Sequence, residues 1–174
     1  MKKRILYSFF VLVALVGCKV GTSSKPILLT IYLKPSSASN VTGTAVFTEK
    51  NNVVSLVVNM KGLKPGMHAI HIHEKADCSA ADATSAGGHW NPTFKPHGKW
   101  GSLSCHKGDI GNFTANRKGI ATLSMSTSEW CIGCGDPTKD ILEKGLVVHQ
   151  NADDYVSQPS GNAGGRIACS GIIR

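Results

Sequence analysis

The sequence has no apolar run long enough to cross a bilayer. Its longest, Ile5 to Val16, counts 12 residues, against about 20 for a membrane-spanning helix. Beyond the short Lys2-Lys3-Arg4 start, its basic residues do not gather into a run, so nucleic acid is not an expected partner. No stretch carries a long helical periodicity, and there is no internal repeat and no composition shift that would mark a second domain. What remains is a chain of 174 residues, enough to bury one core without outside help.

The N-terminus is set apart from the fold. Lys2-Lys3-Arg4 precedes the apolar run, as in a secretory signal. The run closes in Leu15-Val16-Gly17-Cys18, which resembles a bacterial lipobox. That resemblance implies cleavage before Cys18 and lipid on its sulfur; the alternative is an ordinary signal with a chance cysteine. The expected layout is a signal peptide over residues 1–17, a lipidated Cys18 with a flexible tether to residue 26, and one domain over 27–174. Several acyl chains on one residue anchor stably, where one does not. The expected location is the bacterial cell envelope, as an exported periplasmic or outer-membrane lipoprotein held to the membrane through Cys18. Loss of residues 1–17 removes three basic residues and no acidic one, taking the formal charge from +8 to about +5, a balance that can attract anions. Export permits disulfides. Of six cysteines, five remain beside Cys18, so at least one stays unpaired within the chain.

The rest is β-rich. Ile27–Lys34, Val41–Glu49 and Asn52–Met60 are strand candidates, the last two forming a hairpin around Asn51-Asn52. Lys64-Pro65-Gly66 turns the chain into MHAIHIH. Gly108–Ala115 and Gly119–Ser126 follow; in the second, Ala121, Leu123 and Met125 alternate with Thr122, Ser124 and Ser126 as in a half-buried strand. Gly145–Gln150 and Arg166–Ile172 complete about eight short strands, which predicts an all-β sandwich or barrel. Two connections exceed any hairpin: Glu74 to Lys107, over thirty residues, and Asn151 to Gly165, fifteen. Loops of that length are functional or disordered.

The first loop is rich in histidine, which decides between those readings. In chain order the candidate donors are His71, His73, His89, His97, His106, Asp109 and His149. His71 and His73 sit two apart on a strand and so share a face. Six imidazoles and one carboxylate are too many for one tetrahedral site. They suit two adjacent d-block metals, with one imidazole shared through both ring nitrogens. A long loop pinned by metal loses much of its freedom.

The blocks H-I-H-E, S-A-G-G-H-W-N-P, K-P-H-G, H-K-G-D-I-G-N, L-V-V-H-Q-N-A-D-D and G-N-A-G-G-R-I-A-C, in this order from about Val41 to Ile172, resemble the copper/zinc superoxide dismutase family. The resemblance implies an eight-stranded Greek-key β-sandwich or barrel with two long functional loops. It implies dismutation of superoxide to oxygen and hydrogen peroxide, by copper cycling between Cu(II) and Cu(I) with a structural zinc beside it. It assigns copper to His71, His73, His89 and His149, and zinc to His89, His97, His106 and Asp109, with His89 as the bridge and the proton carrier. It makes Asp153 the carboxylate that orients His71 and His97, Arg166 the cation that meets superoxide, and Cys78–Cys169 a disulfide tying the metal loop to the last strand.

Other residues fall outside this pattern. His68, three residues before His71, points to the opposite face and is expected to be structural. Cys131 and Cys134 form C-I-G-C before a turn, Gly135-Asp136-Pro137. A local disulfide or free thiols are favoured over redox catalysis, and pairing of one with Cys105 stays open. Cys78 follows His73 by five residues as in bacterial family members, whereas the rest of the loop is closer to the animal pattern. The two groups dimerise through different surfaces, so a homodimer is expected without a defined interface. The second loop has no Lys or Glu, so Lys75, Lys95, Lys99 and Lys107 are the expected cations for attracting superoxide. The rival function is an envelope copper- and zinc-binding protein without turnover; the presence of Arg166 favours the enzyme.

Overall fold

The computed structural model describes residues 25–174. Cys18 and most of the tether lie outside the described residues. Eight strands form in chain order: β1 (Ile27–Pro35), β2 (Thr42–Lys50), β3 (Val53–Lys61), β4 (Gly66–His73), β5 (Gly111–Ala115), β6 (Ala121–Thr127), β7 (Lys144–His149) and β8 (Arg166–Ile172). The one helical element among the described residues is a 3₁₀ turn, Thr84–Ala86. No described helix is long and apolar enough to cross a membrane.

All strand pairs are antiparallel, in the order β5-β4-β7-β8-β1-β2-β3-β6. Two four-stranded halves meet where Lys34 and Pro35 of β1 pair with Cys169 and Ala168 of β8. The free edges, β5 and β6, approach each other and nearly close a barrel. The chain crosses between halves from β3 to β4, back from β5 to β6 and again from β6 to β7, the Greek-key pattern.

Alternation sets which side chains fill the barrel. Leu29, Ile31 and Leu33 of β1 point inward with Phe47 of β2 and Leu56 and Val58 of β3, while Leu28, Tyr32 and Val57 face out. Burying each large aliphatic side chain stabilises by roughly 1.5–3 kcal/mol. β6 shows the alternation expected of it, with Thr122, Ser124 and Ser126 exposed. Asn51 and Asn52 both take positive φ, 52° and 61°, the geometry a two-residue hairpin turn demands.

β4 differs from the other strands. From His68 to His73 every residue is buried, because the barrel covers one face and the long loop the other. β5 is shorter than the expected Gly108–Ala115. Gly108 is drawn into the loop, where its N–H donates to Trp90 O at 3.0 Å and its C=O accepts from Ile72 N at 2.9 Å. A Cβ at Gly108 would stand 2.1 Å from Ile72 O, so glycine is required for that close approach. The long loop is thus pinned to β4 by backbone hydrogen bonds.

Candidate metal centre

The seven candidate donors converge from three directions. β4 presents His71 and His73 on one face. His149 ends β7 beside them, at a register irregularity in the β7–β8 pairing. The loop between β4 and β5 carries His89, His97, His106 and Asp109. His89 is placed by an isolated antiparallel bridge to His73 and by the Trp90 N–H donating to Ile72 O at 2.8 Å.

Two sets of four result. Donor atoms of His71, His73, His89 and His149 all lie within 4.8 Å of one another, as do those of His89, His97, His106 and Asp109. His89 belongs to both, and every member is buried.

The hydrogen bonding of the rings tests whether cations fit. The outward nitrogens are tied to the protein. His71 Nε2 lies 2.9 Å from Asp153 Oδ2, His97 Nε2 2.9 Å from Asp153 Oδ1, His73 Nδ1 2.9 Å from Gly87 O, and His149 Nδ1 3.3 Å from Gly164 O. The inward nitrogens are not. His71 Nδ1, His89 Nε2, His97 Nδ1 and His106 Nδ1 are buried without a hydrogen-bond partner among the described residues. Nδ1 of His97 and of His106 lie 3.0 and 3.2 Å from Asp109 oxygens, but lack the alignment of a hydrogen bond. His73 Nε2 and His149 Nε2 face each other at 3.2 Å. An orphaned buried polar group costs about 1–3 kcal/mol. Several aimed at two common points fit a cation at each.

Protonation agrees with that fit at the all-imidazole set. Burial holds His73 and His149 well below the usual imidazole range, lowers His71, and brings His89 down to about 4. All four rings are therefore neutral near pH 7 and offer lone pairs. Burial alone would also lower His97, but the carboxylates of Asp109 and Asp153 outweigh it and raise that ring to about 9. Burial opposes ionisation of both carboxylates. The surrounding histidines nonetheless hold Asp109 and Asp153 well below the usual carboxylate range.

Arg166 opens β8. Its Nη1 donates to Ala83 O at 2.6 Å and its Nη2 to Gly87 O at 2.7 Å. It borders a cavity of about 380 Å³ with His73, His89, His149, Glu74 and Ser160. Cys78 and Cys169 form a disulfide, three residues beyond Arg166. Around it Ala83, Ala86 and Val147 make a small second core. Ala83 carries one of the two carbonyls that hold the arginine.

His68 is buried and hydrogen-bonded through both nitrogens, to His149 O and Lys64 O, a structural part. Cys131 and Cys134 form the local disulfide, and Cys105 is a free thiol. None of Lys75, Lys95, Lys99 and Lys107 borders the Arg166 cavity. Lys107 pairs with Glu129, and with Lys95 it lines a separate hollow that shares His106 with the first.

Sequence reasoning passed over three residues that hold the site. The Gln158 side chain clamps the His97 backbone, accepting from its N–H at 2.8 Å and donating to its C=O at 3.0 Å. Asn112 brackets the Asp153 backbone in the same way, at 2.7 and 2.8 Å. Gly161, with φ of 65°, leaves room for the Asp153 carboxylate; a Cβ there would stand 1.8 Å from Oδ1. Gly161 and Asn112 left a sequence signal, inside the G-N-A-G-G and H-K-G-D-I-G-N blocks, and Gln158 left none.

The fold and the donors together define a class: a Greek-key β-barrel protein with two adjoining clusters of potential metal donors that have one histidine in common. Comparison with known proteins narrows it. The model of the copper/zinc superoxide dismutase family matches residues 41–173. Superoxide dismutase [Cu-Zn] 2 of Aquifex aeolicus (strain VF5) is 38% identical over 142 residues, covering 80% of this chain and 82% of the relative. A double mutant of a SOD-like protein from Bacillus subtilis superposes with a TM-score of 0.74 at 31% identity, over 83% of this chain and 97% of that one. The clock protein EA4 does so with a TM-score of 0.73 at 31% identity, over 86% and 97%. The chain belongs to the copper/zinc superoxide dismutase family. Its metals are copper and zinc, and the two donor sets are suited to hold them.

Proposed function

We propose that this chain dismutes superoxide at the all-imidazole set, with copper held by His71, His73, His89 and His149 and zinc by His89, His97, His106 and Asp109. The division follows donor chemistry. Four imidazoles suit copper, and three with a carboxylate suit zinc. The observation that carries the reading is the double placement of His89. Its Nδ1 lies 2.8 Å from Asp109 Oδ1, within the second set. Its Nε2 is the buried, unpartnered nitrogen of the first.

Copper bound there supplies reversible one-electron chemistry between Cu(II) and Cu(I). The protein supplies the rest. Arg166 is fixed by two carbonyls with its guanidinium beside the cavity, where it orients a small anion and stabilises its charge. His89 Nε2 has no protein partner, so it can hold a proton and release it to the reduced substrate. Its Nδ1, kept on the Asp109 side, returns the ring to the same place. Asp153 holds His71 and His97 in one tautomer and one orientation, which raises their basicity as ligands. One electron in total passes from one superoxide ion to the other; the first leaves as oxygen, and the second takes up two protons and leaves as hydrogen peroxide.

The basic and apolar N-terminus supports export and a lipid on Cys18 in a bacterial envelope, where the enzyme would meet superoxide formed outside the cytoplasm. Labelled palmitate should enter the wild-type chain expressed in a bacterium and be absent from Cys18→Ala. Label retained in the variant would remove the anchor from this reading.

Metal content and dismutation are measured together. After chelation and stepwise return of metals, activity should require copper and reach its maximum with one copper and one zinc per chain. Full occupancy without turnover would leave a metal-binding protein.

A further inference from the structure

We propose that Glu74 is a positioning residue for the anion-binding end of the site, acting on Arg166 and His73 through the single peptide group that joins Gly87 to Gly88. The proposal rests on the roles given above to Arg166 and His73, and it concerns a residue with no part in binding metal.

That peptide group has partners on both sides. Its C=O, on Gly87, accepts from Arg166 Nη2 at 2.7 Å and from His73 Nδ1 at 2.9 Å. Its N–H, on Gly88, donates to Glu74 Oε2 at 3.2 Å. A peptide whose N–H meets a carboxylate is a stronger acceptor at its oxygen, because successive hydrogen bonds polarise one another. Glu74 thus strengthens the one carbonyl shared by the substrate-facing cation and an imidazole of the all-His set. It also fixes the plane of that peptide, and with it the direction in which the carbonyl points.

The backbone is shaped around this carboxylate. Glu74 N donates to Gly88 O at 3.0 Å and Lys75 N to Ala86 O at 3.0 Å, a short antiparallel pairing that lays the Glu74 side chain over residues 87 and 88. Gly87 takes φ of 77°. A Cβ on it would fall 2.5 Å from Glu74 Oε2, so glycine there makes room for the acid. A carboxylate that only solvated the surface would need neither the paired backbone nor the glycine.

Glu74 also borders the cavity, and this gives the proposal a distinctive sign. As a mere charge, its removal should favour a small anion. As a positioning group, its removal should disfavour the anion despite the loss of negative charge.

The test uses the full chain loaded with copper and zinc, in wild-type, Glu74→Gln, Glu74→Ala and Arg166→Ala forms. Azide is titrated as a probe monoanion, and the Cu(II) electron paramagnetic resonance spectrum is recorded. Glu74→Ala should weaken azide binding about three- to tenfold and alter the spectrum. Glu74→Gln, which keeps an acceptor, should stay within about twofold of wild type. Tighter azide binding in both Glu74 variants with an unchanged spectrum would overturn the proposal and leave Glu74 as a surface charge.

Wild-type azide binding that is indifferent to Arg166→Ala would instead count against the parent reading. The proposal is then judged on metal-free protein by nuclear magnetic resonance. Glu74→Ala should displace the Arg166 Nε–H signal and speed exchange of the Gly88 amide at least about tenfold, and Glu74→Gln should do neither. An Arg166 signal unmoved by Glu74→Ala would overturn the proposal on its own.

Discussion

Asp153 links the two donor sets with one carboxylate, one oxygen on His71 and the other on His97. Asp153→Ala frees both rings to rotate and should cost about 10–100-fold in zinc affinity, read by competition with a chromogenic chelator. An affinity within twofold of wild type would show that backbone contacts alone orient these ligands. The titrations of the histidines also make a joint prediction for metal-free protein. His89 falls to about 4 in the fold, so between there and its unfolded value near 6.5 the unfolded chain binds more protons and stability drops as pH falls. His97 rises to about 9, so between 6.5 and 9 the folded chain binds more protons and stability drops as pH rises. Urea unfolding of the metal-free protein should therefore give greatest stability near pH 6.5. A steady rise from pH 5 to 9 would contradict the His97 environment. At this scale the donor residues were legible, because imidazoles at fixed spacings in a β-rich chain have few other uses. Gln158 was not. An amide that clamps a backbone some tens of residues away leaves no local pattern.

Strands that alternate, such as β6, and turns with strong chemistry, such as Asn51-Asn52, declare themselves in sequence through period and backbone preference. The interior of the loops does not. Gly108 belongs to the metal loop rather than to β5 because of its bonds to Trp90 and Ile72, which only the assembled fold supplies. The loop before Arg166 is held against the loop between β4 and β5 through Asp153 and Gln158, which both bind His97, with Gly161 leaving the space. Gly161→Ala should therefore mimic Asp153→Ala in zinc affinity, although residue 161 touches no metal. Normal affinity in Gly161→Ala would mean that the loop can shift without moving the carboxylate. The Cys78–Cys169 disulfide spans 91 residues and joins the loop bearing Ala83 and Gly87 to β8. Cys78→Ser should cost about 2–5 kcal/mol of stability, measured by reversible unfolding of metal-free protein. A loss under about 0.5 kcal/mol would place the loop's stability in its backbone pairing instead.

The described residues form a nearly closed barrel with the donor residues on one outer face, where β4, β7 and β8 meet two long loops. An all-β sandwich or barrel follows from the number and alternation of strands, whereas the strand order is seen only in the fold; which face carries the donors follows from where the histidines fall. Among the described residues the basic side chains are not gathered at the cavity. Arg166 is the lone Lys or Arg bordering it among the described residues. The central claim, that this face turns superoxide over and that Arg166 receives it, is tested most directly by one paired measurement: the dismutation rate of wild-type and Arg166→Ala protein, each loaded to the same copper and zinc content. Loss of a charge-assisted contact worth about 1.5–3 kcal/mol should slow the variant about 10–100-fold while its metals remain bound. Equal rates in the two forms, or negligible turnover in a fully loaded wild type, would contradict it.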